Sequence, residues 1–216
     1  NKAKINSFIF LSSSNVYSDK SNSPYEENDA TLPKNIYGKY KLLIEKSLKN
    51  KKFFNKVIVL RLFNVVGFTN NFQFTLHKSK NQRFITRLIK SAFENKSINL
   101  NYFKKKEKLY SPERDFIYID DVTRIIHLVI KKSKKFNKFN IFNIGSGKKT
   151  SLEKILRSLE KKLDKKIFIK KKIINSKELN ITWCLKNKIE RKLSIKLKNR
   201  MEDIINSSIK NFKKNA

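Results

Sequence analysis

Tyr37 and Lys41 stand four residues apart in Tyr37-Gly38-Lys39-Tyr40-Lys41. If the segment is helical, the two side chains share a face. An ammonium group beside a phenol favours the phenolate. It turns a side chain with a free pKa of about 10 into a usable acid and base near neutrality. In a lysine-rich chain such a pair also arises by chance, as a helix surface contact. Its surroundings sharpen it. The apolar run Phe8-Ile9-Phe10-Leu11 leads into Ser12-Ser13-Ser14-Asn15-Val16-Tyr17, and Val57-Ile58-Val59-Leu60 leads into Arg61-Leu62-Phe63-Asn64-Val65-Val66-Gly67. Both runs suit buried parallel strands. In an open α/β sheet the ligand crevice lies outside the strand C-termini, where these polar segments begin.

The elements that must position these residues follow from periodicity and turn signals. A Ser/Asn/Asp/Pro-rich loop is expected over 12–35, a helix over 37–50, a loop over 69–82 and a helix over 84–94. Short strands are expected at 97–102, 116–119 and 139–144. Asp120-Asp121 is read as the cap of a helix carrying Val122, Ile125, Ile126, Val129 and Ile130. Gly145-Ser146-Gly147 turns into a helix for which Thr150 and Glu153 form a capping box, with Leu152, Ile155, Leu156, Leu159 and Leu163 as its apolar stripe. A basic strand over 167–174 and an amphipathic helix over 200–212 close the chain. Strands alternating with helices argue an α/β fold with a mostly parallel sheet. The chain opens abruptly at Asn1, six residues before a strand that needs neighbours on both sides, so a fragment lacking its upstream part is expected.

Composition bounds the rest. The 216 residues carry a formal charge of +33, from 51 Lys+Arg against 18 Asp+Glu. Such a balance raises nucleic acid as a partner. The cations are mostly Lys, spread along the chain with abundant Asn, Ile and Phe, which share AT-rich codons. A dedicated nucleic-acid surface favours Arg for bidentate contacts, so nucleic acid is not the expected partner. The single Cys184 excludes a disulfide framework and is compatible with a reducing, cytoplasmic location. No apolar run approaches a bilayer span.

Six blocks, at 8–17, 24–27, 33–45, 60–67, 114–122 and 142–147, occur in an order that resembles the NAD-dependent nucleotide-sugar epimerase/dehydratase family of extended short-chain dehydrogenase/reductases. The resemblance implies the C-terminal part of a Rossmann-type parallel-sheet domain interleaved with a small α+β substrate-binding lobe. Residues 1–66 and 115–144 would belong to the NAD-binding domain, and 67–114 and 145–216 to the lobe. It implies catalytic roles for Ser13, Tyr37 and Lys41, with Tyr37, Lys41 and Phe63 facing NAD. Asn64 and Arg114 would face a nucleotide-diphosphate sugar, with Arg114 gripping the diphosphate. It also implies a homodimer through the helix bearing Tyr37 and Lys41.

The departures from the family pattern narrow the expectation. The Gly-rich dinucleotide fingerprint is absent, since the chain holds only Gly38, Gly67, Gly145 and Gly147. Related dehydratases place an acidic pair directly after the Ser/Thr, where this chain has Ser14 and Asn15. That disfavours elimination of water. It leaves UDP-sugar C4 epimerisation through a transient 4-keto intermediate, with an NAD(P)-dependent sugar reductase or dehydrogenase as the alternative. A segment that contacts substrate in family epimerases has its best counterpart in Asn175-Ser176-Lys177-Glu178, without the expected Arg. His127 is expected in core or boundary packing and His77 to be equally bland. Trp183 and Cys184 are expected to pack within the small lobe.

Overall fold

The structure is a computed structural model that describes residues 5–20, 24–50, 54–67, 84–105, 107–174 and 180–215. In chain order the first half holds Ser7–Ser13 (β1), Ile36–Asn50 (α1), Lys56–Leu62 (β2), Asn64–Val66 (β3), Phe84–Phe93 (α2), Ile98–Lys105 (β4), Lys108–Tyr110 (β5) and Glu113–Tyr118 (β6). The second half holds Ile119–Lys131 (α3), Phe139–Ile144 (β7), Lys149–Ser151 (β8), Leu152–Leu163 (α4), Ile169–Ile173 (β9), Ile181–Thr182 (β10), Asn187–Leu193 (α5) and Met201–Asn215 (α6). The fold is α/β, as the alternation of patterns requires.

Three parallel strands in the order β1-β2-β7 carry the site. Central β2 is the most thoroughly buried, with Ile58, Val59 and Leu60 at 0% exposure, so both faces of its apolar run are covered. Its register aligns Ser12, Arg61 and Asn143 in one row, and Ser13, Leu62 and Ile144 in the next. At Phe63 the chain changes sheets. The Phe63 N–H still donates to Ile144 at 3.0 Å, while β3 pairs in parallel with β6. β10 and β8 flank β6, and β4 pairs with β5 and β9 in a third sheet. One core lies under α3 and α5 around Leu60, Ile125 and Ile144. Another gathers α2, α4 and α6 around Leu88, Ile155 and Ile204.

Several local expectations are corrected. α3 starts at Ile119, with Tyr118 at the N-cap position and no side-chain cap. Asp120 and Asp121 instead sit inside its first turn, where carboxylates favour the helix dipole. Asp121 is buried and meets Arg124 at 3.4 Å and Arg200 at 3.8 Å. The cap of α4 is Ser151, which accepts from Lys154 N–H. Thr150 is claimed by strand pairing with Arg114, and Glu153 accepts from the Tyr102 hydroxyl at 2.5 Å. His127 is exposed on α3 rather than in core or boundary packing. Cys184 bridges to Tyr25 and packs with Val16, Tyr17 and Phe63, beneath the loop that follows β1 rather than in the lobe. The loop expected at 69–82, His77 and Asn175-Ser176-Lys177-Glu178 lie outside the described residues.

Candidate active site

The site forms where β1 and β2 end. β1 breaks at Ser13 because Ser13 caps a 3-10 turn over Ser14–Val16, its hydroxyl accepting from Asn15 N–H at 3.2 Å. The turn lifts Ser14 and Asn15 out of the sheet and against α1. Close approach there depends on Gly38. A Cβ at that position would stand 2.1 Å from the Asn15 carbonyl oxygen and 2.9 Å from Pro33. The glycine between Tyr37 and Lys41 therefore lets the helix touch the turn that carries Ser13.

A cavity of about 480 Å³ opens at this junction. Ser13, Tyr37, Lys41, Phe63 and Asn64, five of the six residues singled out in the sequence, all line it. Ser13 is 8% exposed and Tyr37 51% exposed, so the phenol faces the opening and the serine lies deeper. Lys41 donates to the Leu11 carbonyl at 2.8 Å, and its ammonium lies 5.6 Å from the Tyr37 ring centre and 4.9 Å from that of Phe10. The cation is thus tethered beside the phenol by the end of β1. Asn64 donates from its amide to the Asp115 carbonyl at 3.2 Å, which fixes the turn after β2.

Arg114 is not among the lining residues. It lies on β6, and its guanidinium donates to the carbonyls of Asn180 at 2.8 Å and Glu113 at 3.0 Å. The neighbouring Asp115 is fully buried and organises the Gly145-Ser146-Gly147 turn. Its carboxylate accepts from Ser146 N–H and hydroxyl, both at 2.7 Å, and from Gly147 N–H at 3.0 Å. Those N–H groups serve an internal carboxylate, so this turn is not a phosphate loop.

A buried polar network below the cavity was not legible as such. Glu45, four residues beyond Lys41, accepts from Arg61 at 2.7 Å and from the Ser12 hydroxyl at 2.5 Å. Arg61 lies on the Tyr17 ring, 4.8 Å from its centre, and the Tyr17 hydroxyl donates to Asn143 at 2.6 Å. Burial alone would lower the Arg61 pKa. Hydrogen bonding and charge from Glu45 and Tyr17 together outweigh it and hold it above its ordinary value. Burial raises that of Tyr17 and keeps it a neutral donor. A Glu continuing the four-residue spacing of Tyr37 and Lys41, and an Arg inside an apolar strand, were the available signals.

Among the described residues lining the cavity, the polar side chains are hydroxyls, amides and one ammonium, with no carboxylate. This donor set can hold a hydroxylated ring, shuttle a proton through Tyr37 and bind the ribose of a nicotinamide nucleotide through Tyr37 and Lys41. It fits the nicotinamide end of NAD. The chain's four glycines include no Gly-x-Gly-x-x-Gly, the motif that cradles a pyrophosphate.

Comparison with known proteins follows the same line. The profile of the NAD dependent epimerase/dehydratase family matches residues 1–145. The dTDP-4-dehydro-6-deoxyglucose reductase of Escherichia coli is 29% identical over 163 residues, 74% of this chain and 47% of that protein. The UDP-glucose 4-epimerase of Halalkalibacterium halodurans is 26% identical over 157 residues, 70% of this chain and 46% of that protein. The structure of the UDP-glucuronic acid 4-epimerase from Bacillus cereus, in complex with UDP-glucuronic acid and NAD, superposes with a TM-score of 0.81 at 26% identity. It covers 99% of this chain and 63% of that one. The chain spans just under half the length of both sequence relatives.

Proposed function

The chain belongs to the NAD-dependent epimerase/dehydratase family, and from that premise we propose that the protein epimerises a UDP-sugar at C4. The observation that carries this is the convergence of Ser13, Tyr37 and Lys41 on one cavity lined by hydroxyls and amides. Among the described lining residues no carboxylate offers a general acid/base for eliminating water. NAD, when bound, supplies the hydride acceptor and donor. The phenolate of Tyr37 takes the proton of the C4 hydroxyl, and the phenol returns one after the 4-keto sugar has turned. Ser13 hydrogen-bonds the same oxygen and holds the proton in line. Lys41 binds the nicotinamide ribose and stabilises the phenolate.

The finer assignments belong to the same proposal. Phe63 packs beside the nicotinamide, Asn64 binds the sugar nucleotide, and Arg114 grips the diphosphate from outside the cavity while the sugar moves. Residues 1–66 and 115–144 form the NAD-binding part, and 67–114 and 145–216 the substrate lobe. The intact protein is a cytoplasmic homodimer paired through α1, whose Ile36, Tyr40 and Leu43 are 58–66% exposed. Among the described residues no helix is long and apolar enough to cross a membrane. Sedimentation of the full-length protein tests the pairing; a monomer contradicts it.

The similarity to a dTDP-sugar reductase favours a second reading, net reduction of a nucleotide sugar by the same three residues. Net cofactor use separates the two. The full-length protein is expected to interconvert UDP-glucose and UDP-galactose, or another C4 pair, with no net change in NADH absorbance. Stoichiometric NADH consumption with a keto-sugar substrate would establish the reductase instead.

A further inference from the structure

We propose that Glu45 and Arg61 are positioning residues, a buried ionic latch that sets the Tyr37–Lys41 helix in register with Ser13. The inference deepens the epimerase reading and rests on it for its kinetic test. It starts from how α1 is held. Over its 15 residues the only buried ones are Gly38 and Glu45. Ile36, Tyr37, Tyr40, Leu43 and Ile44 are exposed, and Leu42 is partly buried. Apolar burial, the usual means of docking a helix, therefore contributes little. A glycine at one end and a carboxylate two turns on do the docking.

The carboxylate is fully occupied. Oε1 accepts from Ser12 Oγ at 2.5 Å and from Arg61 Nε at 3.1 Å. Oε2 accepts from Nε at 3.2 Å and Nη2 at 2.7 Å. The remaining Arg61 nitrogen, Nη1, donates to the Glu27 carbonyl at 3.0 Å. The side chains of both partners are 3–4% exposed. Planar two-point pairing fixes direction as well as distance. The partners are also placed where direction matters. Ser12, Arg61 and Asn143 form one cross-strand row, and the next row begins with Ser13. Glu45 continues the four-residue series of Tyr37 and Lys41. The latch therefore ties the helix bearing the phenol to the residue beside the serine.

A structural ion pair and a positioning one differ in what an apolar replacement restores. Replacing both members of a buried pair by apolar residues of similar volume commonly recovers stability, but it has no directional bond. The test uses the full-length protein in four forms: wild type, Glu45→Gln, Arg61→Lys and Glu45→Met with Arg61→Met. Both single variants are expected to lose turnover by about 10²-fold, with KM changed less than about threefold, as for displaced catalytic groups. The double variant is expected to melt near the wild-type temperature and keep the low turnover. Amide exchange of residues 36–45 gives a readout independent of activity. It is expected to be about tenfold faster in the double variant, with β2 unchanged. Recovery of turnover and slow exchange together with melting would overturn the latch. So would unchanged turnover in Glu45→Gln, or a double variant that does not fold. If the wild type acts on no nucleotide sugar, the proposed function fails while the exchange comparison still decides the latch.

Discussion

At the scale of single residues, most of the candidate chemistry was legible because it rests on residue type and spacing. The Tyr37/Lys41 interval puts both side chains on one face, and the apolar runs before Ser13 and Phe63 put them at strand ends. Arg61 and Glu45 were illegible for the opposite reason. An Arg in a strand and a Glu on a helix read as surface residues until the register buries them together. Cys184 shows the same limit, since its surroundings come from Tyr25 and Asp115, far away in sequence. Burial pushes its thiol pKa well up, and the Asp115 carboxylate pushes it further. A group whose pKa is raised by folding contributes stability that is present below its unfolded value and is lost as pH rises through the folded one. Melting of the wild type should therefore fall more steeply than that of Cys184→Ala above about pH 8.5, the ordinary thiol pKa. Below that pH the native thiol should resist alkylation until the protein unfolds. Rapid alkylation of the folded protein at neutral pH would contradict this environment.

At the scale of elements, helices and strands with long apolar patterns appeared where periodicity placed them, β7 with its expected ends, while the starts of α3 and α4 shifted. Thr150 carries a better local cap signal than its use in the fold, because pairing of β8 with β6 claims it and passes the cap to Ser151. The two-residue β10 and three-residue β5 and β8 carry too few residues to show a period; partners distant in sequence define β10 and β8, and a tight hairpin with β4 defines β5. α1 gives the sharpest conflict between local and tertiary preference. Alanine in a helix interior is favoured over glycine by about 1 kcal/mol. At Gly38 the added methyl would meet the Asn15 carbonyl at 2.1 Å, a backbone atom that cannot swing aside. Gly38→Ala should destabilise the fold by about 1–3 kcal/mol, the usual cost of overpacking, as read by urea unfolding. A gain in stability would show that α1 does not rest on the turn after β1.

At the scale of the whole molecule, the formal charge of +33 and the site turn out to be separate matters. Of the many lysines, Lys41 alone lines the cavity among the described residues. Most described ion pairs of the others are partly or largely exposed, where each contributes little. The sheet is built so that the row Ser12–Arg61–Asn143 supports the crevice row above it, and α1 is latched to the first of these. The central claim is that Tyr37, so placed, moves the proton of a nucleotide sugar. Turnover of UDP-glucose and UDP-galactose by the full-length protein and its Tyr37→Phe variant tests it most directly. The account predicts a loss of about 10²–10⁴-fold in the variant, the scale of a missing general acid/base, with melting unchanged since the Tyr37 side chain is half exposed. Equal turnover by the two proteins would contradict it.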